Sequence, residues 1–246
     1  NSVMSNQSIE EIAQTYTHIW QHSGAQSVKA KKSKKSLLLK PTIVLPEGLK
    51  KTKFPKFIKP ELATLVDKPP EGSQWIHEIK FDGYRILAFK NGSNIVLKSR
   101  NNKDWTYKLP SIAAAINQLP FKKMVLDGEV VVIDTEGRSN FQLLQNSLKN
   151  KEQSSLNYFI FDLLYFEGFD LRELTLIERK SILKNILSVP LPALHYSEHI
   201  IKEGKELYEH SCNYTLEGIV SKRANSSYLS IRTKDWLKIK CLKRQE

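Results

Sequence analysis

The sequence predicts an α+β fold in which antiparallel sheets are flanked by helices. Short β-rich runs alternate with amphipathic segments, but without the regular strand–helix–strand rhythm of a parallel sheet. Of the 246 residues, 40% are hydrophobic and 26% are charged, as in soluble globular proteins. The longest strongly apolar run, 158–166, contains Asp162 and is too short for a membrane span. We therefore expect a folded protein with no membrane partner.

The N-terminal part is expected to precede the folded domain. Ser8 and Glu11 fit a capping box, and apolar residues then recur at helical spacing as far as Trp20. We expect a helix and linker tail over 1–25, a Lys-rich linker over 26–58, and a folded domain over 59–246. The segment 40–70 is rich in Pro and Lys and is predicted to be extended.

The basic excess is local. The formal net charge is +12, yet residues 29–60 contain eleven Lys and one acid, Glu47. Such a segment attracts polyanions, of which nucleic acid is the first candidate. It is equally consistent with a solvated linker.

Regular structure is predicted to begin at Trp75. Asp82-Gly83 and Asn91-Gly92 are turn sequences between β-rich runs. Pro110 fits the first turn of a helix. Strands are predicted over 75–80, 85–90, 94–98, 124–126, 130–133, 157–166, 218–222 and 236–240. Helices are predicted over 110–119, 140–148, 174–186 and 203–210.

The two cysteines, Cys212 and Cys241, have neither CxxC nor zinc-site spacing. We expect both to be reduced thiols in a cytoplasmic protein.

Lys80 is the candidate nucleophile. It stands at the predicted end of a strand, before Asp82-Gly83, with Arg85 close by. A lysine nucleophile must lose its proton, which desolvation or nearby cations favour. Taken alone, however, a lysine before Asp-Gly is more often an ordinary hairpin residue.

Other segments add chemistry downstream. Glu129 and Glu217 each lie next to a glycine and could hold Mg²⁺, which prefers oxygen ligands. Phe161 is either a stacking platform for a base or a core residue. Lys238 and Lys240 share one strand face, where they are either solvated or suited to phosphates.

Together these segments resemble the motifs of the covalent nucleotidyltransferase superfamily, which contains ATP-dependent DNA ligases, RNA ligases and mRNA capping enzymes. Lys80 to Arg85 matches the KxDGxR motif in full, and Ser99-Arg100 resembles the second motif. Four further segments resemble the later motifs in the same order, namely Asp127-Gly128-Glu129, Phe161-Asp162, Glu217 to Lys222 and Trp236 to Lys240. The resemblance implies a nucleotidyltransferase (ATP-grasp-like) fold.

The similarity is greatest to the ligase module of bacterial ligase D proteins, which repair double-strand breaks by non-homologous end joining. Residues 54–67 and 75–80 carry this resemblance. Two segments depart from the family pattern: Ile231-Arg232-Thr233 replaces Gly-Arg-Ser, and Asn101-Asn102 replaces Asn-Gly. The family continues into an OB-fold domain, which we expect to be absent from this chain. We therefore expect impaired use of ATP and poor sealing of nicks.

The resemblance implies a role for each matched residue. Lys80 would form a lysyl-AMP from ATP, and Glu78 would recognise adenine near N6, with Ile79 beside it in the nucleotide site. Phe161 would stack on adenine, and Arg85 and Arg100 would contact ribose or phosphate. Glu129 would hold ribose or a metal, and Glu217 would bind Mg²⁺ or Mn²⁺. Lys238 and Lys240 would neutralise the α-phosphate, and Arg232 is a further nucleotide-binding candidate.

The partners that the resemblance implies are DNA with 5′-phosphate and 3′-hydroxyl ends, bacterial Ku, and the phosphoesterase and polymerase modules of a parent chain. The implied location is the bacterial cytoplasm, at the nucleoid. An RNA ligase or a capping-type guanylyltransferase would use the same lysine chemistry. A non-catalytic basic DNA-binding module would use the Lys-rich segment instead. An NAD-dependent ligase is disfavoured because the sequence shows no zinc cysteines.

Overall fold

The computed structural model describes residues 41–188 and 190–241. The helix predicted within 1–25 lies outside the described residues. The strands, in chain order, are β1 (Leu62–Leu65), β2 (Trp75–Ile79), β3 (Tyr84–Asn91), β4 (Asn94–Ser99), β5 (Lys123–Val132), β6 (Leu156–Phe166), β7 (Phe169–Asp170), β8 (Leu194–Tyr196), β9 (Ile200–Ile201), β10 (Gly218–Arg223) and β11 (Arg232–Lys240). The helices are α1 (Pro110–Gln118), α2 (Phe141–Asn150), α3 (Leu176–Ile186) and α4 (Gly204–Asn213), and a 3-10 helix spans Thr106–Lys108.

The strands form two sheets. The first sheet has the order β1-β11-β10-β2-β9, and the second has the order β4-β3-β5-β6-β7 with β8 also paired to β6. All pairs are antiparallel except β1 with β11 and β6 with β8. The prediction of an α+β fold with mainly antiparallel sheets is confirmed.

Helices cover the outer faces of the sheets. Apolar side chains of α1, α2 and α3 pack with the second sheet in one large core cluster, and Leu207 of α4 packs on the first sheet. Two smaller clusters each contain residues of both sheets. None of the described helices has the length and apolar character needed to cross a membrane.

Several predicted boundaries were wrong. The first strand is β1 rather than β2, because Leu62 pairs with Arg232 far along the chain. The two strands predicted over 124–126 and 130–133 are the single strand β5, which continues through Gly128. Asn140 is the N-cap of α2, where its side chain accepts a bond from the Leu143 N–H, and the helix runs on to Asn150.

The described part of the Lys-rich stretch, residues 41–60, is called the basic strap below. It packs against the second sheet: the Thr52 N–H donates to the Gly168 carbonyl at 2.8 Å, and the Tyr165 hydroxyl donates to the Thr52 carbonyl at 2.9 Å. Phe54 meets the Tyr165 ring edge-on, and Ile58 is buried. Its lysines are exposed, namely Lys50, Lys51, Lys53, Lys56 and Lys59.

Cys212 and Cys241 form a disulfide, so the expectation of reduced thiols was wrong. The two residues are 29 positions apart in sequence. Strand β11 runs antiparallel to β10 and returns the chain to the C-terminal end of α4, which places the two Cα atoms 5.3 Å apart. This proximity follows from the strand pairing and has no signal in the cysteine spacing.

Candidate active site

A pocket lies between the two sheets, where the chain passes from β2 to β3. In the first sheet, Glu78 pairs with Val220 and Val220 pairs with Lys238, so the three side chains share one face. The second sheet contributes Arg85 and Glu129, which are directly opposite each other. The pocket is lined by Leu62, Ala63, Glu78, Ile79, Lys80, Phe81, Arg85, Arg100, Glu129, Phe161, Val220, Lys222, Arg232, Trp236 and Lys238.

Lys80 is held at the end of β2 by its backbone and by its side chain. Its N–H donates to the Gly218 carbonyl at 2.9 Å. Its Nζ lies 2.5 Å from Glu217 Oε2, and the Lys240 Nζ lies 3.3 Å from the other oxygen of the same carboxylate. The Lys80 and Glu217 side chains are 21% and 15% exposed, so the amine faces the pocket but remains accessible.

Gly218 makes this arrangement possible. Its φ is +139°, in the range that favours glycine, and a Cβ atom there would lie 2.0 Å from the Ile239 carbonyl oxygen. Any larger residue would push β10 away from β11. The glycine that follows Glu217 therefore sets where that carboxylate sits relative to Lys80.

Arg85 is fixed by a buried network. Its guanidinium donates to both oxygens of Asp127, at 3.0 and 2.6 Å, and to the Glu61 carbonyl at 2.6 Å. The Tyr228 hydroxyl donates to Asp127 at 2.7 Å and accepts from the Glu61 N–H at 3.0 Å. Burial acts to lower the pKa of Arg85, but Asp127 outweighs it and raises that pKa above its ordinary value. The guanidinium is therefore a fixed cation in the pocket wall.

The Glu61 carboxylate holds residues 229–233, the segment that leads into β11 and carries Arg232. It is fully buried and accepts from the Thr233 hydroxyl at 2.7 Å and the Leu229 N–H at 2.8 Å. Burial raises the pKa of Glu61, and these two bonds oppose the rise. Arg232 itself donates to the Ala63 carbonyl and is exposed. Thr233, which stands where the family pattern has Ser, thus supplies a hydroxyl that fixes the start of β11.

Glu78 is the centre of a buried charge cluster. Its Oε1 accepts from the Lys180 Nζ at 2.9 Å, and its Oε2 accepts from the Lys222 Nζ and the Ser197 hydroxyl, each at 3.0 Å. Burial acts to raise the pKa of Glu78, but the two lysines outweigh it and hold the pKa at about 2. The Lys222 ammonium lies 4.3 Å from the Phe161 ring centroid.

Glu129 faces Lys80 from the second sheet. Burial raises the pKa of Glu129 to about 8, although Lys80 and Arg85 favour its charged form and Glu217 opposes it. Gly128 allows this placement, because a Cβ atom there would lie 2.4 Å from the Phe159 carbonyl oxygen of the neighbouring strand.

The structure brings most of the predicted site residues to this one pocket. It is lined by Glu78, Ile79, Lys80, Arg85, Arg100, Glu129, Phe161, Arg232 and Lys238. Glu217 contacts Lys80, and Lys240 contacts the other oxygen of Glu217. Burial and the neighbouring Lys80 and Lys240 lower the pKa of Lys238. The role of each residue stays a prediction.

Sequence reasoning missed the residues that hold the predicted ones in place. Asp127 was quoted within a motif but given no role, and Glu61, Lys180, Ser197, Lys222 and Tyr228 were not singled out as site residues. Of these, Lys222 had a usable signal, since it lies two residues beyond Val220 on the pocket face of β10. The others reach the site from distant parts of the chain.

Comparison with known proteins gives consistent matches. The chain is 41% identical over 197 residues to the multifunctional non-homologous end joining protein LigD of Pseudomonas aeruginosa, covering 80% of this chain and 23% of that protein. It is 32% identical over 185 residues to the SPbeta prophage-derived DNA ligase-like protein LigB of Bacillus subtilis, covering 74% of this chain and 67% of that protein. The chain therefore spans about a quarter of the length of the first of these relatives.

Solved structures agree with the sequence matches. The ligase domain of M. tuberculosis LigD superposes with a TM-score of 0.66 at 30% identity, covering 74% of this chain and 60% of that one. A mycobacterial DNA ligase D complexed with ATP and MES superposes with a TM-score of 0.63 at 28% identity, with the same coverage. These neighbours confirm the predicted nucleotidyltransferase fold and favour a DNA ligase over the RNA ligase and capping-enzyme alternatives. Because the sequence model of the ATP dependent DNA ligase domain also matches residues 56–240, the chain belongs to the ATP-dependent DNA ligase domain family.

Proposed function

We propose that this chain uses ATP to form a lysyl-AMP on Lys80 and transfers the AMP to a DNA 5′-phosphate. The observation that carries the proposal is the Lys80 amine, which projects from the end of β2 into a pocket lined by cations and touches the Glu217 carboxylate at 2.5 Å. A covalent intermediate divides one difficult displacement into two easier ones.

In the first step the Lys80 Nζ attacks the α-phosphorus of ATP. The new bond is P–N, the bond broken joins the α-phosphorus to the bridging oxygen, and pyrophosphate leaves. The amine must first lose a proton, and Glu217 Oε2 is the acceptor within hydrogen-bond reach. Phosphoryl displacement depends mainly on positioning and on neutralising charge.

The remaining nucleotide contacts follow from the pocket wall. Arg85, Arg100 and Arg232 line the pocket and are proposed to contact ribose or phosphates. Lys238 lies near Lys80, Lys240 contacts Glu217, and both lysines are proposed to neutralise the α-phosphate. Adenine is proposed to stack on Phe161, which lines the pocket beside the Lys222 ammonium and the Arg85 guanidinium. For Glu78, three of about four acceptor sites on the carboxylate are used, which leaves one on Oε1 for the N6 amine.

The donor set fits a magnesium or manganese ion. Glu129 and Glu217 both lie near Lys80, and Mg²⁺ in phosphoryl-transfer sites is held by one or two carboxylates together with substrate phosphates. Within residues 41–188 and 190–241 no three His, Cys, Asp or Glu side chains converge to form a complete metal cage. A bound Mg²⁺ would neutralise phosphate charge, and it would favour the ionised form of Glu129.

After AMP transfer, a DNA 3′-hydroxyl attacks the activated 5′-phosphate, AMP leaves and the break is sealed. The basic strap supports DNA as the substrate, because its five exposed lysines are ordered on the surface of the domain. We propose break repair in the bacterial cytoplasm, at the nucleoid, with Ku and with phosphoesterase and polymerase modules as partners. We also propose the 59–246 boundary for the adenylation domain.

Intact-mass spectrometry after incubation with ATP and Mg²⁺ tests the first step. The wild type should gain the mass of AMP and lose it again on addition of pyrophosphate, whereas Lys80→Arg should gain nothing. Lys205→Arg, a change to an exposed lysine on α4, is the matched control and should behave as the wild type.

An adduct in Lys80→Arg, or none in the wild type, would contradict the assignment. GTP in place of ATP distinguishes a guanylyltransferase, and a nicked duplex of RNA in place of DNA distinguishes an RNA ligase.

A further inference from the structure

A second groove, of about 550 Å³, lies between the 3-10 helix and α2. One wall is aromatic: the Tyr84 ring packs 4.6 Å from the Trp105 ring and 5.0 Å from the Phe141 ring. Tyr107 stands at the edge of this wall with 75% of its surface exposed. The exposed ring of Tyr107 is therefore available to a ligand that can stack on it, whereas the Trp105 ring already has the Lys108 ammonium 4.5 Å from its centroid.

The charged side chains that line the groove are all positive. Three lysines line it, Lys108, Lys149 and Lys151, and its lining contains no Asp or Glu. Lys149 and Lys151 lie at the C-terminal end of α2, where they also complement the helix dipole. The dipole explains those two lysines, but it does not explain an exposed tyrosine ring beside them. Together the groove and its rings present positive charge and π-faces to one ligand.

The groove is separate from the nucleotide pocket but close to it. Tyr84 and Arg85 are consecutive residues of β3, so they face opposite sides of the second sheet, one towards the groove and one towards the pocket. The segment from Arg100 to Lys108 connects the two, because Arg100 lines the pocket and Lys108 lines the groove. The pocket and the groove therefore lie on opposite faces of the same sheet and are joined by this short segment.

We propose that this groove binds single-stranded DNA. A base would stack on Tyr107, and the lysines would contact the phosphates. Stacking platforms beside a positive groove bind single strands with little sequence preference, whereas the bases of a duplex keep their faces covered. The choice of DNA rests on the proposed DNA-joining function. The occupant would be an unpaired end of a strand next to the site of joining.

Fluorescence anisotropy with a short labelled oligothymidylate tests the groove in the full chain. Tyr107→Ala should weaken binding about five- to 150-fold, the range of one lost base stack, and Tyr107→Trp should restore it. Lys149→Gln should reduce the slope of log K against log salt by about 0.7. Tyr214→Ala and Lys205→Gln are matched controls, because Tyr214 is 59% exposed and the Lys205 side chain is 78% exposed, both away from the groove.

Equal affinity of Tyr107→Ala and Tyr214→Ala would overturn the proposal, as would equal competition by a duplex of the same length or by polyglutamate. Equal binding of oligouridylate would overturn the choice of DNA. Urea unfolding midpoints of the variants exclude a folding defect, and the Tyr107→Trp rescue gives a second check. The lysyl-AMP mass is measured separately, so a wild type that binds the oligonucleotide as expected but forms no adduct would refute the proposed function and leave the groove intact.

Discussion

The buried carboxylate of Glu78 gives a quantitative test of how the pocket is held together. Glu78→Gln keeps the shape of the side chain but leaves the ammonium groups of Lys180 and Lys222 buried without a counter-charge. Removing one partner of a buried ion pair costs about 3–5 kcal/mol. We expect the variant to lose that amount of unfolding free energy at pH 7, measured by urea unfolding with tryptophan fluorescence.

The effect should also depend on pH with a definite sign. The pKa of Glu78 is about 2 in the folded protein, against an ordinary value of 4.5. A carboxyl group with a lowered folded pKa stabilises the protein above its unfolded pKa, and this stabilisation is lost as the pH falls towards the folded value. Its contribution of about 3 kcal/mol at pH 7 should fall to about 1 kcal/mol at pH 3.

Glu136→Gln serves as the control, because the Glu136 side chain is 66% exposed and pairs only at the surface, with Arg138. A pair of that kind contributes about 1 kcal/mol or less. If Glu78→Gln were within about 1 kcal/mol of the wild type at pH 7, the reasoning would be refuted. A difference that stayed constant from pH 5 to pH 3 would refute the pKa assignment.

Two further predictions concern the backbone around Glu217. Gly218→Ala should lower the unfolding free energy by about 2–4 kcal/mol, because it combines a strained φ with a backbone clash. Gly92→Ala, with a φ of +63° and no heavy atom within 4 Å of the added Cβ, should cost only about 1–2 kcal/mol. Cys212→Ser should lower the unfolding free energy by about 3–4 kcal/mol, the loop-closure entropy expected for a 29-residue separation from Cys241.

Each of these has its own check by urea unfolding. Equal losses for Gly218→Ala and Gly92→Ala would show that the contact with β11 does not matter. For the disulfide, a reducing agent should destabilise the wild type and leave Cys212→Ser unchanged. A wild type insensitive to reduction would mean that the bond contributes nothing.

Local sequence was sufficient to predict the elements that carry the motifs. The Asn91-Gly92 turn between β3 and β4, the apolar spacing of α3 and the alternation along β11 each depend on residues a few positions apart. The turn predicted at Asp82-Gly83 was wrong, because the chain there passes from the first sheet to the second. Strand β1 was not predicted, because Leu62–Leu65 is short and becomes a strand only by pairing with β11. The extent of α2 was predicted too short at its C-terminal end, where Lys151 adopts a left-handed conformation as the C-cap.

The residues of the site also divide into those that local sequence predicts and those that it does not. Residues that lie in motifs could be found from sequence, since a lysine two positions after Glu78 must lie near it, at the end of β2. The residues that hold them come from far away: Glu61 and Tyr228 are 167 positions apart, and Lys180 reaches Glu78 across 102 positions from the middle of α3. A lysine inside a helix is usually solvated, so nothing in the sequence marks Lys180 as buried.

The charges of the pocket separate into two groups with different consequences. One group is neutralised within the protein, and its pairs are Lys80 with Glu217, Arg85 with Asp127, and Lys222 with Glu78. The other group, Arg100, Arg232 and Lys238, lines the pocket with no carboxylate within ion-pair distance among the described residues. Paired cations gain little from a further anion, whereas unpaired cations attract one strongly. The paired group therefore fixes the geometry around Lys80, and we propose that the unpaired group attracts the phosphates of a nucleotide or of a DNA end.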